Sequence, residues 1–506
     1  MSRIIEIGAR RLSALDVAEV ARGDTCAQLA PAARAGIAAS HAALERLAGS
    51  GMAIYGVSTG LGAAADTRVS PTEAGVQHRI PLARSVGVGR RACTEEVRAI
   101  MVTRLARLAI GRSGASPETV DALVALLNRR VHPIVPMTGS IGEADLAPLA
   151  HIGSVLMGYG EAEYGGTVMP GAQALAQAGL QPPALGAKDG LALVSSNAAS
   201  VGLGALAVTD ARRALGGLLA AATLSFEGYR ANLSPLWPAA IRLRPVPGQA
   251  AVADAMLRAV AGGTLAQPNS ARRLQDPLSF RCIGPVQGAC VAALTTAIDA
   301  VELELNSSDD NPAILAEDEL SLPNANFDAT HLALAFEGLG LALARTAAAC
   351  GERVMKLMSP SSSELPRFLS PVQDGRNGFA TVQKTVSALM AEIQHRAQPM
   401  PVVLIPVADR VEDYGTMALA IVEKTAEITD RVRLLAAIEL MVAAQACDLR
   451  GGIALGSGTK AVHALVRSVV APLGEDRQIS PDIEAIERLV ADGRFDDLFA
   501  LPAQAS

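Results

Sequence analysis

Apolar residues recur at helical spacing in two long stretches, Val286, Cys290, Leu294, Ile298 and Val301, and again Leu435, Ile438, Val442 and Ala446. Each stretch predicts a long helix with one face in a core. A third tract, Leu332 to Met358, is rich in alanine and leucine, and Pro360-Ser361-Ser362-Ser363 is expected to end it. The uncharged run Gly190 to Thr209 has about the length of a membrane span, but it contains Ser195-Ser196-Asn197 and several glycines. It predicts a buried helix preceded by a polar loop. Residues 1–115 are more broken, with Gly- and Ser-rich interruptions at 56–62 and 85–89. They read as a smaller helical and loop domain capping a central bundle formed by residues 116–506.

Composition sharpens this to an all-α protein. Half of the 506 residues are hydrophobic and only 3% are aromatic, so alanine and leucine supply most of the core, as suits close-packed helices better than sheets. A net charge of −6 argues against nucleic acid or an acidic membrane surface as partner. The six cysteines are scattered without zinc-type spacing, and Met1 to Glu6 lacks the apolar core of a secretory signal. Both features predict a cytoplasmic protein with reduced thiols. The seven histidines are dispersed, so no metal site is expected, and the glycine-rich turn Val57 to Gly62 lacks the lysine of a phosphate loop.

Candidate chemistry lies in a series of short segments. These are Ile54-Tyr55-Gly56-Val57-Ser58-Thr59-Gly60-Leu61-Gly62, Gly139-Ser140-Ile141-Gly142-Glu143-Ala144-Asp145, Lys188-Asp189-Gly190-Leu191-Ala192-Leu193, Gln275 to Cys282, Ser308-Asp309-Asp310-Asn311-Pro312 with Asn326-Phe327, and Val411-Glu412-Asp413. In this order, and over nearly the whole chain, they resemble the histidine/phenylalanine ammonia-lyase family. The resemblance implies an aspartase-like helical fold, a homotetramer whose subunits complete each other's sites, and elimination of an amine from an amino-acid-like small molecule. It also implies roles: Tyr55 as catalytic base, Arg281 with Gln275 as the carboxylate-binding segment, Glu412 toward a histidine-type ring, and the segment around Asn197 and Phe327 as substrate contacts. A phenol serves as base only where its surroundings favour phenolate, and a guanidinium grips a carboxylate through two parallel hydrogen bonds.

The departures from that family shape the expected reaction. Its members carry an Ala-Ser-Gly triplet between the positions of Gly142 and Asp145, which cyclises to the electrophile methylidene-imidazolone; this chain has only Glu143-Ala144. Leu278 replaces a tyrosine and Ser195 an asparagine that support the electrophile, Arg84 stands where a histidine is usual, and Lys384 where the histidine lyases tend to be apolar. No prosthetic group is expected.

Without it, an ordinary α-ammonium is a very poor leaving group. A trimethylammonium, which cannot deprotonate, departs as neutral trimethylamine. The expected substrate is therefore a histidine-derived betaine such as ergothioneine, giving thiourocanate, as in the ergothionase branch of the family. Glu143 and Asp145 are candidates to face the cationic head, with Glu143 as a loop-stabilising acid the alternative. Lys384 either approaches a ring substituent or is a surface lysine. Phe327, Tyr414 and Tyr55 are the aromatics expected near the site. An electrophile-free lyase or isomerase acting on another β-activated acid, and a binding protein without catalysis, are the competing readings.

Overall fold

A computed structural model describes residues 3–69, 75–372, 374–401 and 405–496. Two compact units are present: residues 1–209, 298–334 and 400–423 form the first, and residues 210–297, 335–399 and 424–506 the second. The helices that carry or brace the candidate residues are α1 (Val76–Arg84), α2 (Leu146–Leu156), α3 (Asp189–Val194), α4 (Ala198–Tyr229), α5 (Leu278–Arg281), α6 (Ile283–Leu305), α7 (Thr330–Leu357), α8 (Val382–Arg396) and α9 (Ala418–Arg450). Four small sheets accompany them, all with their strands in the first unit among the described residues. One pairs Ile4–Ile7 with Cys26–Leu29 in parallel, and another pairs Val88–Arg91 with Pro136–Thr138 in antiparallel fashion.

The helical periodicities find their core. Leu435, Ile438, Val442 and Ala446 are fully buried along α9, and Cys290, Leu294 and Val301 along α6, while Val286 and Ile298 are half-buried. Small residues let helices approach in the second unit, where a Cβ on Gly228 of α4 would lie 2.9 Å from that of Ala446. At the end of α7 the chain differs slightly from expectation: the helix stops at Leu357, and Pro360–Ser363 forms a separate short turn of helix. Proline at the first helical position can start such a turn as readily as it ends the one before.

The uncharged run behaves as its polar triplet suggests. Helix α3 ends at Val194, Ser195-Ser196-Asn197 breaks the path, and α4 begins at Ala198. Asp309 causes the break, because one of its oxygens accepts both the Ser196 hydroxyl (2.8 Å) and the Asn197 backbone N–H (2.7 Å). By length and composition three helical stretches could cross a membrane: Asp189–Tyr229, Ile283–Leu305 and Thr330–Leu357. The apolar window of the first is 100% buried inside the fold, so protein surrounds it; in the other two only 44% and 50% are buried.

Candidate active site

In the first unit the Tyr55 loop is built by alternation. Ile54 and Val57 are buried with Ala43, Leu44, Leu47 and Ile314, while Tyr55 between them remains half-buried and reachable. The Ser58 side chain fixes the turn, accepting from the Ile54 N–H at 2.8 Å and donating to the Met52 carbonyl at 2.9 Å. Gly56 has φ +71°, and a Cβ there would lie 2.5 Å from Leu191 and 2.8 Å from Leu61, so both backbone and space call for glycine. Gln77 of α1 ties this loop to α3, donating to the Gly56 carbonyl and accepting from the Leu191 N–H.

The hydroxyl of Tyr55 accepts from the Gly62 N–H at 2.9 Å. Around that point the fold gathers two further candidates. Arg84, the last residue of α1, is half-buried, and desolvation lowers its pKa against the opposing charges of Tyr55 and Glu412. The Glu412 Oε1 lies 3.8 Å from where a Gly62 Cβ would stand. Glu412 itself sits on a tight turn: Ala408, Asp409 and Arg410 all have left-handed backbone, and Val407 and Glu412 close the turn with paired backbone hydrogen bonds. A cleft of about 310 Å³ opens beside Gly56, Thr59, Leu61 and Arg84. Arg84 lines that cleft, whereas the Tyr55 and Glu412 side chains lie near Gly62 and are not part of its lining.

Beside them in the same unit lies the loop 139–145. Gly142 has φ +84°, and any side chain would strike the Thr416 hydroxyl 2.2 Å away; that hydroxyl donates to the Gly142 carbonyl. The Met417 N–H donates to the Ile141 carbonyl. Glu143 pairs through an antiparallel bridge with Asp328. Its carboxyl pKa is pushed up to about 8, first by burial, then by the negative charge of Asp328 and a side-chain hydrogen bond with it; a backbone hydrogen bond from Thr416 opposes the shift. Its Oε1 is enclosed and meets no hydrogen-bond partner among the described residues.

Asp145 lies deeper than half-buried Glu143. It is fully buried and its oxygens are taken by Ser140 Oγ (2.7 Å), the Ser200 N–H (2.7 Å) and Ser200 Oγ (3.0 Å), so it braces the loop instead of facing a cationic head. Ser140 Oγ also accepts from the Gly142 N–H. The family's electrophile does not fit these residues. Between Gly142 and Asp145 there is neither a serine to lose water nor a glycine nitrogen to close the ring, and the nearby Ser140 is occupied by Asp145 and Gly142.

Ser195 and Asn197 are both buried beside this loop, and the Ser196 carbonyl accepts from the Asp145 N–H. The Asn197 side-chain N–H donates to the carbonyl of half-buried Phe327, leaving its own Oδ1 without a partner among the described residues. Asp309 is clamped in turn by Arg107, as Asp310 is by Arg104 at 3.0 Å. The segment containing Asp309 therefore works as buried support. Two arginines three residues apart on the helix Thr94–Leu108, facing consecutive aspartates, were the sequence signal for this support. Asp328 and Thr416 had no such signal.

The remaining candidates belong to the second unit. Half-buried Arg281, at the end of α5, donates to the exposed Gln275 side chain. Neighbouring Phe280 stacks on Tyr229 at 4.3 Å, and the Ser279 carbonyl accepts from buried Arg353 at 3.1 Å. Leu278 is 62% exposed. Lys384 is an exposed residue of α8.

This chain belongs to the aromatic amino acid lyase family, whose model matches residues 12–468, and its class is that of carbon–nitrogen lyases with the aspartase-like helical fold. Among its relatives, the histidine ammonia-lyase of Gloeobacter violaceus is 38% identical over 485 residues, covering 95% of this chain and 94% of that protein. The histidine ammonia-lyase of Myxococcus xanthus is 36% identical, covering 95% of each. Among solved structures, ergothionase from Treponema denticola in complex with desmethyl-ergothioneine sulfonic acid is 32% identical, with a TM-score of 0.91 over 98% of this chain and 99% of that one. Histidine ammonia-lyase from Trypanosoma cruzi also superposes with a TM-score of 0.91, at 28% identity over 99% and 96% of the two chains.

Proposed function

We propose that this enzyme eliminates trimethylamine from a histidine-derived betaine of the ergothioneine type, leaving an α,β-unsaturated acid such as thiourocanate, without a methylidene-imidazolone. The carrying observation is the replacement of the cyclising triplet by Glu143-Ala144, with Glu143 half-buried and its Oε1 without a hydrogen-bond partner among the described residues. The likeness to a solved ergothionase supports the same substrate class.

In this reading the Tyr55 phenolate removes the β-proton. The C–H electrons form the new C=C bond, and the C–N bond breaks with its electrons on nitrogen, releasing a neutral amine. Arg84 supplies fixed positive charge beside Tyr55 and Glu412, and Glu412 accepts from a ring N–H. Ser195, Asn197 and Phe327 are assigned to the wall around the reacting carbons; for Arg281 with Gln275 the family resemblance alone implies the substrate carboxylate, and exposed Lys384 keeps its two readings, a contact to a ring substituent or a surface lysine.

The test is an ultraviolet scan of purified enzyme with ergothioneine beside L-histidine, with trimethylamine assayed in parallel. Absorbance from a new conjugated acid, rising with trimethylamine for ergothioneine alone, is the expected result. No product from ergothioneine would sink the assignment.

A further inference from the structure

Glu412 and Tyr55 converge on one point of the backbone. The Glu412 Oε1 lies 3.8 Å from where a Gly62 Cβ would stand, and the Gly62 N–H donates to the Tyr55 hydroxyl. Yet the turn that carries Glu412 runs through Ala408 (φ +50°), Asp409 (φ +55°) and Arg410 (φ +69°), none of them glycine. Left-handed backbone is unfavourable for such residues and persists where surrounding contacts fix it. The backbone bonds between Val407 and Glu412, and from the Val411 N–H to the Ala408 carbonyl, close the turn only on itself.

The attachment to the rest of the first unit lies just downstream. The Thr416 hydroxyl donates to the Gly142 carbonyl at 2.8 Å, and the Met417 N–H to the Ile141 carbonyl at 2.9 Å. Tyr414, two residues after Glu412, supplies a nearer tie, because its hydroxyl meets the Thr330 hydroxyl at 2.8 Å. Thr330 begins α7 and is bound to Asp328 twice, through its N–H at 3.0 Å and its hydroxyl at 3.1 Å. A hydroxyl owns a single proton, and Thr330 gives its own to the Asp328 carboxylate, so the Tyr414 hydroxyl donates to Thr330. The chain therefore has one direction, from Tyr414 through Thr330 to a charged acceptor, which strengthens the bonds before it. Asp328 is fixed in turn by its N–H to the Ala325 carbonyl at 3.0 Å and by its backbone bridge to Glu143.

We propose that Thr330, acting through Tyr414, is a positioning residue that holds Glu412 in register with Tyr55. This rests on the function proposed above for what Glu412 contacts, the ring N–H of the substrate. Tyr414 then serves the site through its oxygen, as a tether, and not as an aromatic wall. Since Tyr414 is 51% exposed, water competes for its hydroxyl, and the tether is worth about one ordinary hydrogen bond.

Hydrogen exchange over residues 405–417 of the intact enzyme, read by mass spectrometry, tests the tether without any substrate. Thr330→Val and Tyr414→Phe each remove a hydroxyl at nearly constant shape and should speed exchange there by about three- to tenfold, whereas Thr330→Ser keeps the hydroxyl and should match wild type. Unchanged exchange in the first two variants overturns the proposal. Steady-state kinetics with ergothioneine read the positioning: KM should rise by about three- to tenfold in Thr330→Val with kcat altered less, as for an interaction made equally in ground and transition states. In a Glu412→Gln background the same substitution should change KM no further, because both act through one contact. A full further loss in that background would mean general damage to the fold and overturn the role, as would an unchanged KM in a variant whose exchange has risen. Wild type that turns over no ergothioneine sinks the proposed reaction alone, and the tether is then decided by the exchange.

Discussion

Tyr55 shows how a single side chain acquires a role. Flanking Ile54 and Val57 anchor its loop in an apolar cluster, and the Gly62 N–H orients its hydroxyl from 2.9 Å. Arg84 and Glu412 then set the charge around it. Replacing Tyr55 with Phe keeps the ring and removes only the oxygen, so the fold should persist while elimination falls by about 10²- to 10⁴-fold, the usual worth of a general base. Steady-state trimethylamine release checks this, and near-normal turnover would take Tyr55 out of the chemistry. The residue types at this centre were legible through family resemblance. Their company was not: nothing in Ala408-Asp409-Arg410 announces three left-handed residues that turn Glu412 back toward Gly62.

At the scale of elements, the short helix α5 that carries Arg281 is held by a buried ion pair. Arg353 of α7 donates to the Ser279 carbonyl within α5 and pairs with Glu439 of α9 at 2.6 and 2.8 Å, all three in the second unit. Both charged side chains are wholly buried. Arg353→Met leaves Glu439 as an uncompensated buried charge, and a loss of about 3–5 kcal/mol is expected. Adding Glu439→Leu should restore most of that stability, because an apolar pair can replace a buried ion pair at little net cost. Denaturant melts of the single and double variants measure the difference; equal loss in both would mean that the pair is not the cause. The helices themselves were readable from their spacing. This pairing was not, since periodicity marks a buried face without saying which charges on it will meet.

For the whole molecule, the open question lies on α7. Gly338, Leu341, Arg345 and Ala348 form an exposed stripe at helical spacing in the second unit, and Leu341 is 41% exposed despite the apolar character of the helix. The homotetramer implied by family resemblance would cover such a face, and that assembly is our proposal. Leu341→Glu should lower the mass seen by light scattering at micromolar concentration and reduce turnover alongside it. A variant of unchanged mass would show that this stripe is not buried between copies.

By itself the sequence determined the helical class, the long core helices, the polar break before Ala198 and the loss of the cyclising triplet, because these are local matters of spacing and composition. Tertiary structure alone decided that Asp145 is a fully buried brace while Glu143 is only half-buried, and that Asp328 lies across from Glu143. The difference is physical. Helix formation depends on neighbours a few residues away, but the charge state of a carboxyl depends on burial and on whichever group the folded chain brings opposite it.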